Sequence, residues 1–276
     1  MRFFVLVSFI CGSFTSLNGQ PTQISVGVLT GITSPYTFDS GINRDSRYQQ
    51  RYQVKLAPVG ISYGVDYQGY GFVITPSLIN IGQNMNIINN VGGYEGTRSI
   101  NMQYVQVPIG FKLHMIDLAF FKVSLIAGAG AGYLIKGNET VTHRYAKYRF
   151  PAEVLPILPS DYVVEYDGVI APEIKKLEIV SKDDFKPFQF FGSLGFRSDW
   201  DFKKSWRVAF DLRANYGFTE PRSDAYLVRA KENQTLYDLS GERRELFASL
   251  NIGIARYLEV NKQKTKPFGT LKRRKR

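Results

Sequence analysis

The chain of 276 residues contains one cysteine, Cys11, and two histidines, His114 and His143. A lone cysteine excludes an internal disulfide framework and every multi-cysteine zinc site. Histidines this far apart form no metal-binding spacing. Long apolar runs are missing as well. None approaches the ~18 residues that suggest a helix crossing a bilayer, so any membrane role must use strands. Nor does a glycine-rich loop open a helix to cradle phosphate: Gly128, Gly130 and Gly132 continue an alternating strand. No cofactor and no metal is expected.

Acidic residues are absent after Glu259, where Lys262, Lys264, Lys266, Lys272, Arg273, Arg274, Lys275 and Arg276 accumulate. With Arg2 these account for most of the net charge of +11, leaving the body near neutral and making 261–276 a basic tail. Residues 1–19 read as a signal peptide, with Arg2 at its start, an apolar core from Phe3 to Cys11, and small residues up to a cut after Gly19. Cys11 falls inside that segment, and bulky Ile10 before it argues against a lipoprotein acceptor. An exported chain meets no nucleic acid, so the tail is read as a solvated extension or as a site for an anionic periplasmic partner.

What is abundant is aromatic: 17 Tyr and 20 Phe. Their placement is clearest from Trp206 to Phe218. Trp206, Val208, Phe210, Leu212, Ala214, Tyr216 and Phe218 alternate with Arg207, Ala209, Asp211, Arg213, Asn215 and Gly217, a strict period of two with one greasy and one wet face. Three full charges are too many for the dry inner face of a sandwich. A membrane barrel strand, with lipid outside and a polar interior, fits better.

The same test finds seven more strands: about Thr22–Thr33, Tyr52–Val65 (Ala57, Val59, Ile61, Tyr63 and Val65 sharing a face), Gly71–Leu78, Ile100–Leu113, Phe120–Ile135, Lys186–Trp200 and Leu246–Leu258. In the Phe120–Ile135 strand, Lys122, Ser124, Gly128, Gly130 and Gly132 face inward, and the glycines suggest long side chains crossing a narrow lumen. The connections alternate short and long, the long ones spanning about 33–51, 82–98, 137–184 and 219–243. This predicts an all-β, antiparallel, up-and-down eight-stranded transmembrane β-barrel over residues 20–260. The short turns and both termini would be periplasmic, and the long loops extracellular.

The Tyr104-Val105-Gln106-Val107-Pro108-Ile109-Gly110 stretch, the Gly-Ala-Gly-Ala-Gly run at 128–132 and Phe190-Phe191-Gly192-Ser193-Leu194-Gly195-Phe196 resemble the PorT-type outer-membrane β-barrel family of Bacteroidota. The resemblance covers the chain from the signal peptide to the tail. It implies an outer-membrane location and, through PorT itself, a link to type IX secretion and gliding. It supplies no functional residues.

The inward charges are the sharpest feature: Lys112, Lys122, Arg197, Asp199, Arg207, Asp211 and Arg213. In a narrow barrel they should meet as ion pairs, since a desolvated charge without a partner costs several kcal/mol. The basic excess suggests that a loop acid such as Glu220 or Asp224 completes the network. His114 is expected in a turn and His143 in a solvated loop, where Ser160 and Asp161 could in principle assemble a hydrolase or acyltransferase site. Loop residues Arg144, Tyr145, Lys147, Tyr148, Arg149, Phe150, Tyr162 and Tyr166 mix aromatics with charge, as surfaces that bind proteins or glycans do. The leading expectation is a non-enzymatic envelope barrel in outer-membrane lipid, structural or adapter-like, whose loops or basic tail meet an envelope complex. A narrow pore or small-ligand barrel is the second reading, and a loop-borne hydrolase or acyltransferase the third.

Overall fold

The computed structural model describes residues 23–88, 92–118, 120–144, 146–153, 155–158, 160–202, 205–232 and 237–260. The segment expected as a signal peptide, Lys203 and Lys204, and the basic segment with its eight cations lie outside the described residues. Eight walls carry the fold: β1 (Gln23–Asp39), β2 (Lys55–Asp66), β3 (in three pieces, Tyr70–Ile74, Ser77–Ile81 and Asn84–Ile88), β4 (Tyr94–Leu118), β5 (Phe121–His143), β6 (Phe188–Phe202), β7 (Trp206–Gly217) and β8 (Arg243–Glu259). Each is antiparallel to the next, and β8 returns to β1 from Gln23↔Glu259 to Asp39↔Arg243, so the pairings run round a ring. The expected all-β, up-and-down barrel is what forms.

The strand count is higher than the sequence suggests. Among the described residues, short strands also occupy the connections at Tyr48–Gln50, Ala146–Tyr148, Val163–Glu165, Gly168–Ala171 and Ile174–Val180. The wall strands also run further than expected at the end opposite the tight turns. Residues 34–39, 84–88, 94–99 and 137–143, drawn as loop from sequence, are strand. Their inward positions stay buried, and in 84–88 and 137–143 the outward positions include Asn84, Asn86, Asn138, Thr140 and Thr142, polar groups that end the greasy stripe without ending the strand, whereas β1 keeps Tyr36 and Phe38 outside. The β3–β4 connection accordingly shrinks to residues 89–93.

Outside, the barrel wears an apolar belt. Val26, Val28, Ile61, Val107, Ile109, Phe111, Phe190, Leu194, Phe196, Phe210, Leu212, Ile252 and Ile254 are all exposed. So much contiguous apolar surface is not left to water by a soluble protein.

Three local irregularities set the geometry. In β2 a bulge at Pro58 shifts the register between Leu29 and Gly31, so Ala57 points inward while Val59 points outward, and the single face expected for them does not exist. In β5 a second shift lies between Leu134 and Lys136, after which Gly137, Glu139, Val141 and His143 face in. Gly132 has the neighbours expected, a Cβ there lying 3.0 Å from the Phe191 ring and 3.3 Å from the Tyr104 ring, but Gly128 and Gly130 do not. A Cβ at Gly128 would lie 2.3 Å from the Ile109 carbonyl oxygen, and one at Gly130 2.6 Å from Pro108 Cα, so the adjacent strand's backbone, and not a long side chain, occupies that space. The third irregularity is in β3. Pro76 lies opposite Val107, next to Pro108 of β4, and neither proline can donate to the ladder. Pairing of β2 with β3 ends at Gly60↔Ser77, although β3 keeps one register with β4 from Tyr70 to Ile87.

The loops fold over the open end. A short helix α1 (Ser40–Arg44) is capped by Asp39 Oδ1, which accepts from the N–H groups of Gly41 and Ile42 at 2.9 and 3.1 Å. Helix α2 (Asp224–Glu232) buries Tyr226 and Ala230. Together with Ile42, Val180 and Phe185 these join Ile79, Ile81, Met85, Ile100, Met102, Tyr104, Leu134, Phe191 and Phe247 in an apolar core inside the loop half of the barrel. A three-stranded sheet (Val163–Glu165, Gly168–Ala171, Ala146–Tyr148) packs Tyr162 and Val169 in a smaller cluster beyond it.

Candidate functional site

The lumen has two charged tiers separated by that apolar core. The lower tier, toward the tight turns, is built from register. Arg197 of β6 stands opposite Asp211 of β7, and Asp201 opposite Arg207. Arg197 Nε donates to Asp199 Oδ1 at 2.9 Å and lies 3.6 Å from Asp211 Oδ2. Arg213 Nε donates to Asp211 Oδ1 at 2.6 Å, and its Nη1 to Thr75 at 3.3 Å. Arg207 reaches Asp201 at 2.6 Å, Asp66 at 2.8 Å and Gln23 at 2.6 Å. Lys112 pairs with Asp66 and lies 3.7 Å from Asp199.

Asp66, Gly71 and Lys112 form one cross-strand row. A Cβ at Gly71 would sit 2.5 Å from Asp66 Oδ1 and 3.1 Å from Lys112 Cε, so glycine there lets the two charges meet. Lys122 is peripheral, 3.2 Å from Gln23 and 3.5 Å from Asp117.

All seven expected lumen residues are therefore buried on the inner face; six are joined by direct ion pairs, and Lys122 reaches them through Gln23, which Arg207 also contacts. The acids that complete the network are Asp66 and Asp201. Glu220 and Asp224 do not reach it: Glu220 accepts from Arg222 at 2.8 Å at the loop end, and Asp224 accepts from Lys186 at 2.8 Å. Asp66 ends β2, one residue beyond the strand expected over Tyr52–Val65, and one more inward step of the period-two pattern from Ser62 and Gly64 reaches it. His114 lies in β4 and not in a turn, its side chain buried and its Nδ1 2.7 Å from the Ser124 hydroxyl.

The upper tier went unseen in the sequence. Arg243 Nε donates to Asp39 at 2.7 Å and its Nη1 to Glu139 at 2.9 Å, while Arg98 Nε bonds the other Glu139 oxygen. Arg98 Nη1 also donates to the Tyr237 carbonyl at 2.9 Å, and Arg222 Nη2 to the Gly241 carbonyl at 2.6 Å. Arg222 lies 3.6 Å from Asp39. These arginines are fully buried and tie wall strands to the connections around them.

His143 is buried beside this tier, its Nε2 2.6 Å from the Tyr237 hydroxyl and 3.4 Å from the Tyr162 hydroxyl. It is no solvated loop residue, and Ser160 and Asp161, its expected partners, are exposed. Tyr162 is likewise unavailable as surface, while Arg144 stacks over Tyr94 at 5.3 Å. In the cap, outside the walls, Asp184 is held below the ordinary carboxylate range: burial raises it, but hydrogen bonds from Ser181 and Arg229 lower it further.

Within the lumen, cavities of about 30 and 10 Å³ interrupt the packing. The larger has room for about one or two waters. Among the described residues, no group of acids, histidines or cysteines is arranged to hold a metal, and no helix is long and apolar enough to cross a membrane. The arrangement can hold strands in register and fasten the cap.

Residues 18–220 match the family described as outer membrane protein beta-barrel domain, which is most of the chain, and the chain belongs to that family. No curated protein matches it. Among solved structures it is similar to the outer membrane protein OprG from Pseudomonas aeruginosa, at 7% identity and a TM-score of 0.41, covering 89% of this chain and 100% of that one. The outer membrane protease OmpT from Escherichia coli gives 10% identity and a TM-score of 0.39 over 88% of this chain and 99% of that one. Ail, the attachment invasion locus protein of Yersinia pestis, gives 8% and 0.32 over 88% and 100%.

Proposed function

We propose that this outer-membrane β-barrel is a non-enzymatic structural or adapter protein, with the folded cap as its binding face and the loop end directed outward. The observation that carries the reading is the filled lumen: two paired charge tiers and an apolar core occupy it, and the cavities described between them measure about 30 and 10 Å³. A barrel packed in this way acts as a scaffold, and what it can offer partners is its surface. The cap supports this, because Ile157, Val163 and Val164 are exposed on it beside the buried Tyr162 cluster. Short turns at the opposite end are the arrangement of periplasmic turns, which would leave both termini and the basic tail periplasmic. The PorT-type resemblance extends the proposal to an accessory role in type IX secretion or gliding, with the tail contacting an anionic envelope partner.

Crosslinking in intact cells followed by mild-detergent purification tests the adapter role. A partner whose recovery falls when Val163 and Val164 are both changed to Ser supports it, and a monodisperse, partnerless barrel overturns it. Surface proteolysis of intact cells tests the orientation, with cleavage expected in 144–187 and none in the tight turns. Planar-bilayer conductance tests the pore reading, and steady single-channel currents would replace the scaffold with a pore.

A further inference from the structure

One cavity opens on the outside of the wall. It measures about 670 Å³ and lies where pairing of β2 with β3 has ended. Side chains replace the missing ladder: Asn80 Nδ2 donates to the Leu56 carbonyl at 2.8 Å, Thr33 to the Asn80 carbonyl at 2.7 Å, and Lys55 Nζ to the Ile81 carbonyl at 3.0 Å. From this seam the cleft crosses β3, β4 and β5 along a row fixed by register, Asn80 beside Gln103 and Gln103 beside Lys136, with Asn101 beside Asn138 one step on. Gln103 Nε2 donates to Asn80 Oδ1 at 3.0 Å, so the amides are held in place before anything binds. Lys55, Lys136 and Lys182 bring three positive charges to the lining against one acid, Glu178. Lys55 Nζ spends its bonds on the carbonyls of Ile81 and Ile100 and on Asn101 Oδ1, none of them a carboxylate.

Position decides what such a cleft can take. Along each wall the apolar belt stops one step short of it: Leu78 gives way to Asn80, Val105 to Gln103, Tyr133 to Lys136, while Leu56 stays exposed at its rim. A cationic, amide-lined pocket directly above a lipid-facing belt meets a molecule with phosphate at one end and acyl chains at the other.

We propose that this cleft binds the phosphorylated headgroup of an outer-leaflet glycolipid, with its acyl chains lying on Leu78, Val105 and Tyr133. The proposal rests on the loop end facing outward. The test uses micelles, where orientation plays no part, so its failure is separate from failure of the proteolysis test above.

The full chain, purified in a zwitterionic detergent, is incubated with diphosphoryl lipid A, with dephosphorylated lipid A, or with inorganic phosphate, and occupancy is read by native mass spectrometry. Lys136→Glu combined with Lys182→Glu is the test variant, because both side chains line the cleft away from the seam bonds; retained heat-modifiable gel migration shows that it is folded. The proposal expects retention of the diphosphoryl form, weak retention of the dephosphorylated form, and a loss of about tenfold or more in the variant. Equal retention of both lipid forms, or unchanged occupancy in the folded variant, overturns it. Inorganic phosphate displacing the lipid at low millimolar concentration would assign the cleft to a soluble anion and overturn the lipid assignment. If the variant does not fold, Lys182→Glu alone, outside the wall strands, gives the same decision with a smaller loss.

Discussion

The two charged tiers of the lumen contain similar side chains and do different things. In the lower tier the cations and acids all come from wall strands or their last residues: Arg197, Arg207 and Arg213 meet Asp66, Asp199, Asp201 and Asp211. In the upper tier the arginines also bond to connections, Arg98 to the Tyr237 carbonyl and Arg222 to Glu220 and the Gly241 carbonyl. The lower network fastens strand to strand, and the upper fastens cap to barrel. Breaking one should loosen the whole barrel, whereas breaking the other should free the cap and leave a barrel behind.

The sharpest way to break the lower half is Asp66→Ala. It strips a carboxylate from Lys112 and Arg207, both buried, and removing one partner of a buried pair costs about 3–5 kcal/mol. Urea unfolding of the refolded protein in lipid vesicles should show that loss across the whole barrel. A loss confined to the cap would mean that the tiers are not separate.

Next in size is Phe210→Arg, which touches neither tier. Phe210 is exposed on the belt, and a cation facing the bilayer midplane costs about 2–4 kcal/mol. Vesicle insertion should fail in proportion, with the cap's protease resistance unchanged in the molecules that do insert. Ala209 is a poor neutral comparison. It points into the lumen, is 4% exposed and borders the cavity of about 10 Å³, so a long charged side chain there collides with its surroundings.

The upper half is best probed through α2. Tyr226→Ala removes a ring that is 2% exposed in the core beneath the cap, for about 2–3 kcal/mol of local stability. Limited proteolysis should begin to cut within 218–242 while heat-modifiable migration of the barrel stays as before.

These halves also differ in how far they could be read from sequence. Arg207, Asp211 and Arg213 stood out because Val208, Phe210 and Leu212 between them are apolar, and lipid on one side makes the alternation visible. Arg98, Glu139 and Arg243 sit on inward positions just as regular, but their neighbours outward are Thr97 and Ser99, Asn138 and Thr140, and Glu242 and Arg244. At these positions both faces are polar, so period two remains in the backbone and vanishes from the composition. The bulges at Pro58 and between Leu134 and Lys136 add a second loss, because one extra residue swaps the faces from that point on. The row of Asn80, Gln103 and Lys136 was illegible for a further reason: it is assembled by register across three strands, and no stretch of chain contains it.

The smallest expected effect separates buried pairing from mere proximity of charge. Lys186 Nζ lies 2.8 Å from Asp224 Oδ1 at the first residue of α2, a distance like that between Arg243 and Glu139. Asp224 is largely open to solvent, however, with 85% of its side chain exposed, against essentially none for Glu139. Water and salt screen the first pair and cannot reach the second. Lys186→Ala should therefore change cap protection by no more than about 0.5 kcal/mol, and raising the salt concentration should shrink even that. Hydrogen exchange across 218–242 is the measurement. If Lys186→Ala released α2 as Tyr226→Ala is expected to, the cap would be held from its rim, and the buried arginines beneath it would be keeping walls in register as the lower tier does.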